Sequence, residues 1–281
     1  MKRFSLLLVL CFVCSAQGQQ EFMILKDSTQ LYVADSGAGQ TLLFITGWTM
    51  TGRFFEKQQQ QLSKTHRVIT YDPRGQGKSN QTVYKNTYFH HAQDLREIIL
   101  QKDLTDIILI GWSSGCLTLF EYLKAYENDR IQQLVLIDEP PKWIGDPTKE
   151  LVYGSFDDYR NSLKGMLSGP SEPNGIINWM LKDSITPETR AWMRNEIQMT
   201  PPHVALSLYI DGLACDYTQE VQKISIPTLY MVRDSWFAKA KNWLNQNAPK
   251  IAVVSISSHA MFWEKPEEFN TQLLQFIQSN Q

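Results

Sequence analysis

The chain has 281 residues, of which 43% are hydrophobic and 20% charged, the balance of a folded globular protein with one large or two small domains; disordered and fibrous classes are excluded. Its 27 Lys and Arg against 29 Asp and Glu give a formal net charge of -2, so no basic excess is present to hold a nucleic-acid backbone. No run of like charge, low-complexity segment or internal repeat stands out, and Gln58–Gln61 reads as part of a solvated helix face.

Lys2 and Arg3 precede an apolar run, Phe4–Val13, of about ten residues, which is too short for a bilayer span. Small residues follow at Ser15, Ala16 and Gly18. This order is that of an export signal over residues 1–18, cleaved after Ala16 or Gly18. A retained membrane anchor is the alternative, disfavoured because no second apolar span exists. The expectation is therefore a mature protein without a stable membrane anchor, in the periplasm or outside the cell. Cleavage leaves two cysteines, Cys116 and Cys215, both expected as free thiols.

Strands are predicted at Phe22–Leu25, Leu31–Ala34, Leu42–Ile45 and Val68–Tyr71 from short apolar runs between turn residues. A helix over Asn86–Leu100 carries an apolar stripe of Phe89, Ala92, Leu95, Ile98 and Ile99. Ile107–Ile110 and Leu134–Ile137 are continuous apolar runs, as in parallel strands covered on both faces, with a helix over Leu117–Ala125 between them. The alternation stops from about Pro141 to Tyr217, where Phe156–Leu167, Ile176–Leu181, Pro187–Met199 and His203–Cys215 read as helices. It resumes with strands at Pro227–Val232 and Ile251–Ile256 and a closing helix at Pro266–Ile277. The expected architecture is α/β: a mostly parallel central sheet flanked by helices (19–140 and 218–281), with a helical cap inserted at 141–217.

Gly111-Trp112-Ser113-Ser114-Gly115 matches G-x-S-x-G in the context that pattern requires, a buried strand before it and a helix after it. The glycines make room for a serine on a sharp, strained turn. Ser113, central between them, is the candidate nucleophile. A serine needs a base. Of the five histidines, His259 alone follows the last strand, at the sheet edge where open α/β folds collect catalytic groups. His66, His90 and His91 belong to earlier elements, and His203 to the inserted segment.

With these motifs in place the chain resembles the α/β-hydrolase superfamily over nearly all its mature length. Thr46-Gly47-Trp48 stands where those enzymes usually carry His-Gly-x, and Asp72-Pro73-Arg74-Gly75-Gln76-Gly77-Lys78-Ser79 matches their D-x-R-G-x-G-x-S loop. Ile226–Leu229, and His259 followed by Glu264-Lys265-Pro266, fall in family order. The resemblance implies an oxyanion hole at the backbone N–H groups of Trp48 and Ser114, and a structural role for the Asp72–Ser79 loop with Arg74 as its anchor. It offers two places for the acid that orients His259. Asp234, in Val232-Arg233-Asp234, follows the strand after the cap but comes early and without a preceding glycine. Asp138 follows the strand before the cap, in an Asp-x-x-Pro-Lys stretch similar to that of some bacterial hydrolases. Asp138 is preferred and Asp234 is the alternative; either could instead be a simple strand-end turn former.

The reading that follows is a carboxylic ester hydrolase acting on small, apolar molecules, with Trp112, Met261 and Phe262 expected in the substrate pocket. Carbon–carbon or lactone hydrolysis and cofactor-free perhydrolysis would use the same residues. A ligand-binding receptor or degenerate hydrolase is the reading from another class. No metal-ligand spacing and no G-x-G-x-x-G opening the sheet are present, so neither metal nor nucleotide cofactor is expected.

Overall fold

The computed structural model describes residues 18–168, 173–183 and 185–280. The expected export signal therefore lies outside the described residues, save for Gly18. The chain opens with a hairpin of β1 (Gln19–Ile24) and β2 (Gln30–Ser36), followed by β3 (Thr41–Ile45), a 3-10 turn at Gly52–Phe55, α1 (Glu56–Leu62) and β4 (Arg67–Tyr71). Next come α2 (Tyr88–Gln101), β5 (Ile107–Trp112), α3 (Gly115–Tyr126) and β6 (Ile131–Ile137). Five helices follow among the described residues: α4 (Phe156–Ser168), α5 (Pro173–Met180), α6 (Pro187–Gln198), α7 (Pro202–Ala214) and α8 (Thr218–Lys223). β7 (Thr228–Val232), a 3-10 turn at Asp234–Trp236, α9 (Phe237–Asn247), β8 (Ala252–Ser255), α10 (Met261–Glu264) and α11 (Pro266–Ser279) complete the chain.

The eight strands form one sheet in the order β1-β2-β4-β3-β5-β6-β7-β8. β1 pairs antiparallel with β2 and β2 antiparallel with β4; every later pairing is parallel. The central strands are buried on both faces, which is why their sequences run apolar without a break. Alternate side chains of β3 and β5 divide between two cores. Leu43, Ile45, Ile107 and Leu109 join Leu95, Ile98, Leu117 and Phe120 of α2 and α3 on one side. Leu42, Phe44, Ile108 and Ile110 join Leu62, Phe269, Leu273 and Ile277 of α1 and α11 on the other. After β3 the chain moves to one side to build β4, then crosses to the other side of β3 to build β5. Ligand sites of open α/β sheets form at the carboxyl ends of strands flanking such a reversal.

Two expectations about surface and core change. Phe89 is 48% exposed. The buried stripe of α2 is Tyr88, His91, Ala92, Leu95, Ile98 and Ile99, and Phe89 lies about 100° around the helix from Tyr88, outside it. Gln58 is fully buried rather than solvated; its Nε2 donates to the Phe262 carbonyl (2.9 Å) and to Asn270 Oδ1 (3.3 Å), tying α1 to the segment after His259. The Asp72–Ser79 loop is held as expected. Arg74 donates to Asp94 (2.6 and 2.9 Å) and to Asp27 (2.8 Å), while Asp72 accepts from the amides of Gly52 and Lys78. Cys116 and Cys215 are both free. Among the described residues no helix is long and apolar enough to cross a membrane.

Candidate active site

β5 delivers Trp112, and the next residue, Ser113, turns with φ at +53°. For a residue with a side chain this left-handed conformation costs about 1–3 kcal/mol and persists only where the surroundings enforce it. They do so here. The Ser113 amide donates to Ile137 O at the end of β6 (2.8 Å), and its carbonyl accepts from the Cys116 amide (2.7 Å). α3 starts two residues later. A Cβ on Gly115 would lie 2.5 Å from Ile45 O and 2.7 Å from Thr46 O, so only glycine lets the helix begin so close to β3. The end of β3 presses back in turn: a Cβ on Gly47 would stand 3.0 Å from the Ser113 Cβ. This brings the Trp48 loop beside the Ser113 turn. The backbone N–H groups of Trp48 and Ser114 take no part in the hydrogen bonding of the described residues. The Ser114 side chain makes no capping bond to α3, so the helix N-terminus keeps its positive partial charge for a ligand oxygen. The Trp48 indole donates to Ala205 O in α7 (2.7 Å), fixing that loop against this helix.

His259 follows β8 and is 2% exposed. Its Nδ1 lies 2.6 Å from Oδ2 of Asp138, which directly follows β6, is fully buried, and also turns at φ +53°. The Trp112 indole donates to the His259 carbonyl (3.0 Å), linking the residue before Ser113 to the histidine loop. Burial lowers the His259 pKa below the ordinary histidine value; the hydrogen bond and charge of Asp138 oppose that shift without cancelling it. Burial by itself would raise the Asp138 carboxyl, but the His259 hydrogen bond and the neighbouring positive charges outweigh it and hold the group below its usual range. The pair at neutral pH is thus a carboxylate and a neutral imidazole. With Nδ1–H directed at Asp138, Nε2 carries the free lone pair.

Asp234 stands elsewhere. It opens the 3-10 turn after β7, its side chain is 53% exposed, and its nearest ionic partner is Lys182 Nζ at 3.8 Å. Arg233, the residue before it, turns back to Asp138. The Arg233 amide donates to Oδ1 (2.9 Å), and Nε comes within 2.8 Å of Oδ2.

A family profile described as alpha/beta hydrolase fold matches residues 40–162, which include the Ser113 turn. A putative non-heme chloroperoxidase of Synechocystis is 26% identical over 265 residues, covering 88% of this chain and 95% of its own. The pimeloyl-[acyl-carrier protein] methyl ester esterase of Vibrio cholerae is 27% identical over 260 residues, covering 88% of this chain and 97% of its own. Among solved structures, the esterase EaEST from Exiguobacterium antarcticum superposes with a TM-score of 0.84 at 23% identity, over 92% of this chain and all of that one. The chain has the α/β-hydrolase fold.

The surroundings of the site differ from the sequence expectation. Trp112, Met261 and Phe262, expected in the pocket, have no accessible surface. They pack inward: Trp112 meets Phe54, Phe55 and Phe262 at ring separations of 4.7–6.0 Å. Adjacency in sequence to Ser113 and His259 misled, because neighbouring side chains on a strand end or a short helix point in different directions. These three rings and chains support the site from beneath. The aromatic surface beside the histidine comes instead from Trp179 of α5, whose ring lies 4.3 Å from that of His259 and which is 51% exposed. The Ala260 amide donates to Met180 O (3.0 Å), and Glu264 accepts from the amides of Lys182 and Asp183 and from the Ser257 hydroxyl, so α5 is latched to the histidine loop.

Sequence reasoning also passed over Glu139. It is 2% exposed, with Oε1 2.5 Å from the Trp143 indole nitrogen and Oε2 2.5 Å from the Tyr153 hydroxyl. Burial pushes its pKa up to about 8, against those two hydrogen bonds. Two buried carboxyls in succession therefore divide their roles, Asp138 ionised and Glu139 protonated at neutral pH. The signal was present: an Asp-Glu pair ending a buried strand demands partners, and Arg233, Trp143 and Tyr153 supply them.

Proposed function

We propose that this chain is a carboxylic ester hydrolase working through an acyl-enzyme on Ser113. The observation that carries the reading is the buried His259–Asp138 hydrogen bond of 2.6 Å, with the His259 carbonyl held by the indole of Trp112, the residue before a serine at positive φ. In this mechanism Ser113 Oγ attacks the ester carbonyl while His259 Nε2 accepts its proton. The amides of Trp48 and Ser114 receive the developing oxyanion, and the imidazolium then protonates the leaving alkoxide. Water, activated by the same nitrogen, cleaves the acyl-enzyme and restores the serine. Each oxyanion donor in such an arrangement contributes about 3 kcal/mol to the barrier reduction. The inserted 141–217 segment acts as the cap, with Trp179 giving the site an apolar wall suited to small, uncharged esters. A panel of p-nitrophenyl esters of rising acyl length tests this reading; turnover that is highest for short chains supports it, and no turnover of any ester counts against it.

The pH dependence follows from the site. The His259 pKa is lowered, so the base form persists below the usual histidine range. The acid limb of kcat/KM should accordingly have its midpoint below 6.5, with the rate flat through neutrality. A midpoint above 6.5 would contradict the proposed environment of the base.

The Synechocystis relative, by name a non-heme chloroperoxidase, favours a second reading on the same residues. Hydrogen peroxide in place of water would attack the acyl-enzyme and release a peracid. Peracid formation from acetate or an acetate ester, measured with peroxide present, separates the two outcomes.

We further propose that the protein is exported. Mass spectrometry of the mature chain should find a start at Gln17 or Gln19; a soluble protein that keeps Met1 would remove this proposal.

A further inference from the structure

The Asp138 carboxylate is shared. His259 takes one oxygen, and Arg233 approaches both: its amide donates to Oδ1 at 2.9 Å, and its Nε stands 2.8 Å from Oδ2. The Nε approach is off the hydrogen-bond line, and neither Nε nor Nη2 makes a hydrogen bond within the described residues, so the guanidinium acts on Asp138 as a charge. Aromatic rings fix where that charge sits. The Arg233 guanidinium lies 4.6 Å from the ring centre of Trp236, 4.9 Å from Trp179 and 5.8 Å from Tyr153. Trp179 thus touches both the Arg233 guanidinium and the His259 ring, the latter at 4.3 Å.

We propose that Arg233 is a positioning residue for the catalytic pair: through its amide and its caged guanidinium it holds the Asp138 carboxylate in the one orientation that aligns Oδ2 with His259 Nδ1. The proposal rests on the hydrolase reading above. A carboxylate with a single imidazole partner can rotate, and its charge is then free to draw a proton onto the histidine. With a backbone amide on Oδ1 and the guanidinium charge beside Oδ2, it orients the ring while the base stays neutral. The groups facing the pair support this balance. Glu139, the Tyr153 and Tyr230 hydroxyls and the Cys116 thiol all have raised pKa values through burial, which leaves Asp138 and Arg233 as the charges the imidazole meets in the interior. Lys182, Asp234 and Glu264 stand at the solvent edge, where water screens them.

The sign of the expected change is direct. Removing the Arg233 charge makes the imidazolium easier to form, so the His259 pKa rises and the acid limb of activity moves to higher pH. For a unit charge at this range in a partly buried site the shift is about one pH unit. Arg233→Met should therefore lose kcat/KM on the acid limb, by up to about tenfold well below both midpoints, with a much smaller loss above pH 8. Arg233→Lys restores the charge without the planar fork and should keep most of the wild-type acid limb.

The test reads the enzyme without substrate as well. The low-field proton resonance of the His259 Nδ1–H, identified by its loss in His259→Gln, is followed against pH in wild type, Arg233→Met and Arg233→Lys, beside kcat/KM profiles on p-nitrophenyl acetate. A raised midpoint in the Met variant, reversed in the Lys variant, supports the proposal. An unchanged midpoint with lowered thermal stability overturns it, making Arg233 a brace for the aromatic wall; a Met variant that does not fold has the same meaning. A wild type with the Arg233-dependent titration but no turnover would sink the hydrolase reading and leave the positioning role standing.

Discussion

Replacing Ser113 with alanine should reduce ester turnover by about a thousandfold or more, the scale seen when a triad nucleophile is removed. The fold should be unaffected. Alanine keeps the Cβ that the φ of +53° already accommodates, and both backbone bonds of the turn, to Ile137 O and from the Cys116 amide, are independent of the side chain. The measurement is kcat/KM on a short p-nitrophenyl ester, with thermal denaturation of the same preparation as the control. The neighbouring Ser114 cannot take over, since it is buried at the start of α3 with 2% of its surface accessible. A folded variant with wild-type turnover would remove Ser113 from the mechanism.

Asp138→Asn and Asp234→Asn should differ by orders of magnitude. Asparagine matches aspartate in shape. At 138 it removes the charge that stabilises the imidazolium and can present an N–H to His259 Nδ1, favouring the tautomer whose Nε2 is protonated. A serine-protease triad loses about 10⁴ in turnover from that change. Some stability should go with it, because Arg233 then lies against the site without a counter-charge. At 234 the side chain is half exposed and its ionic partner, Lys182, is 3.8 Å away, so the effect should stay within about 0.5 kcal/mol of stability and leave turnover unchanged. Turnover and thermal midpoints of both variants decide the matter. A large loss at Asp234 with none at Asp138 would overturn the assignment.

Much of this architecture is legible in the sequence because the parallel strands are buried on both faces. Ile107–Ile110 and Leu134–Ile137 can be little else, and the predicted ends fall within a few residues of β5 and β6. α1 and α9 were harder to read: Glu56–Leu62 and Phe237–Asn247 are largely polar and bury only a few side chains each, so the helical period is faint. For the site, Ser113 and His259 announce themselves through backbone context, a glycine-framed turn after one strand and a loop after the last. The environment of the histidine is another matter. It is made by contacts between distant segments, Asp138 with Arg233 and His259 with Trp179, and sequence neighbours were a poor guide to it. Trp112 and Phe262 flank Ser113 and His259 in the chain yet point into the core. Trp179, far from both in sequence, stands against the imidazole because Glu264 and the Ala260 amide fasten α5 there.

The most direct test of an activated Ser113 is treatment of the purified protein with a fluorophosphonate, followed by peptide mapping of the modified residue. Ser113, activated by His259, should be labelled stoichiometrically and stereotyped to one peptide, with a rate that falls on acidification as the imidazole protonates, and the His259→Gln protein should not react. A native, folded protein that takes no label, or takes it on a serine other than Ser113, would contradict the claim that this site carries an activated nucleophile.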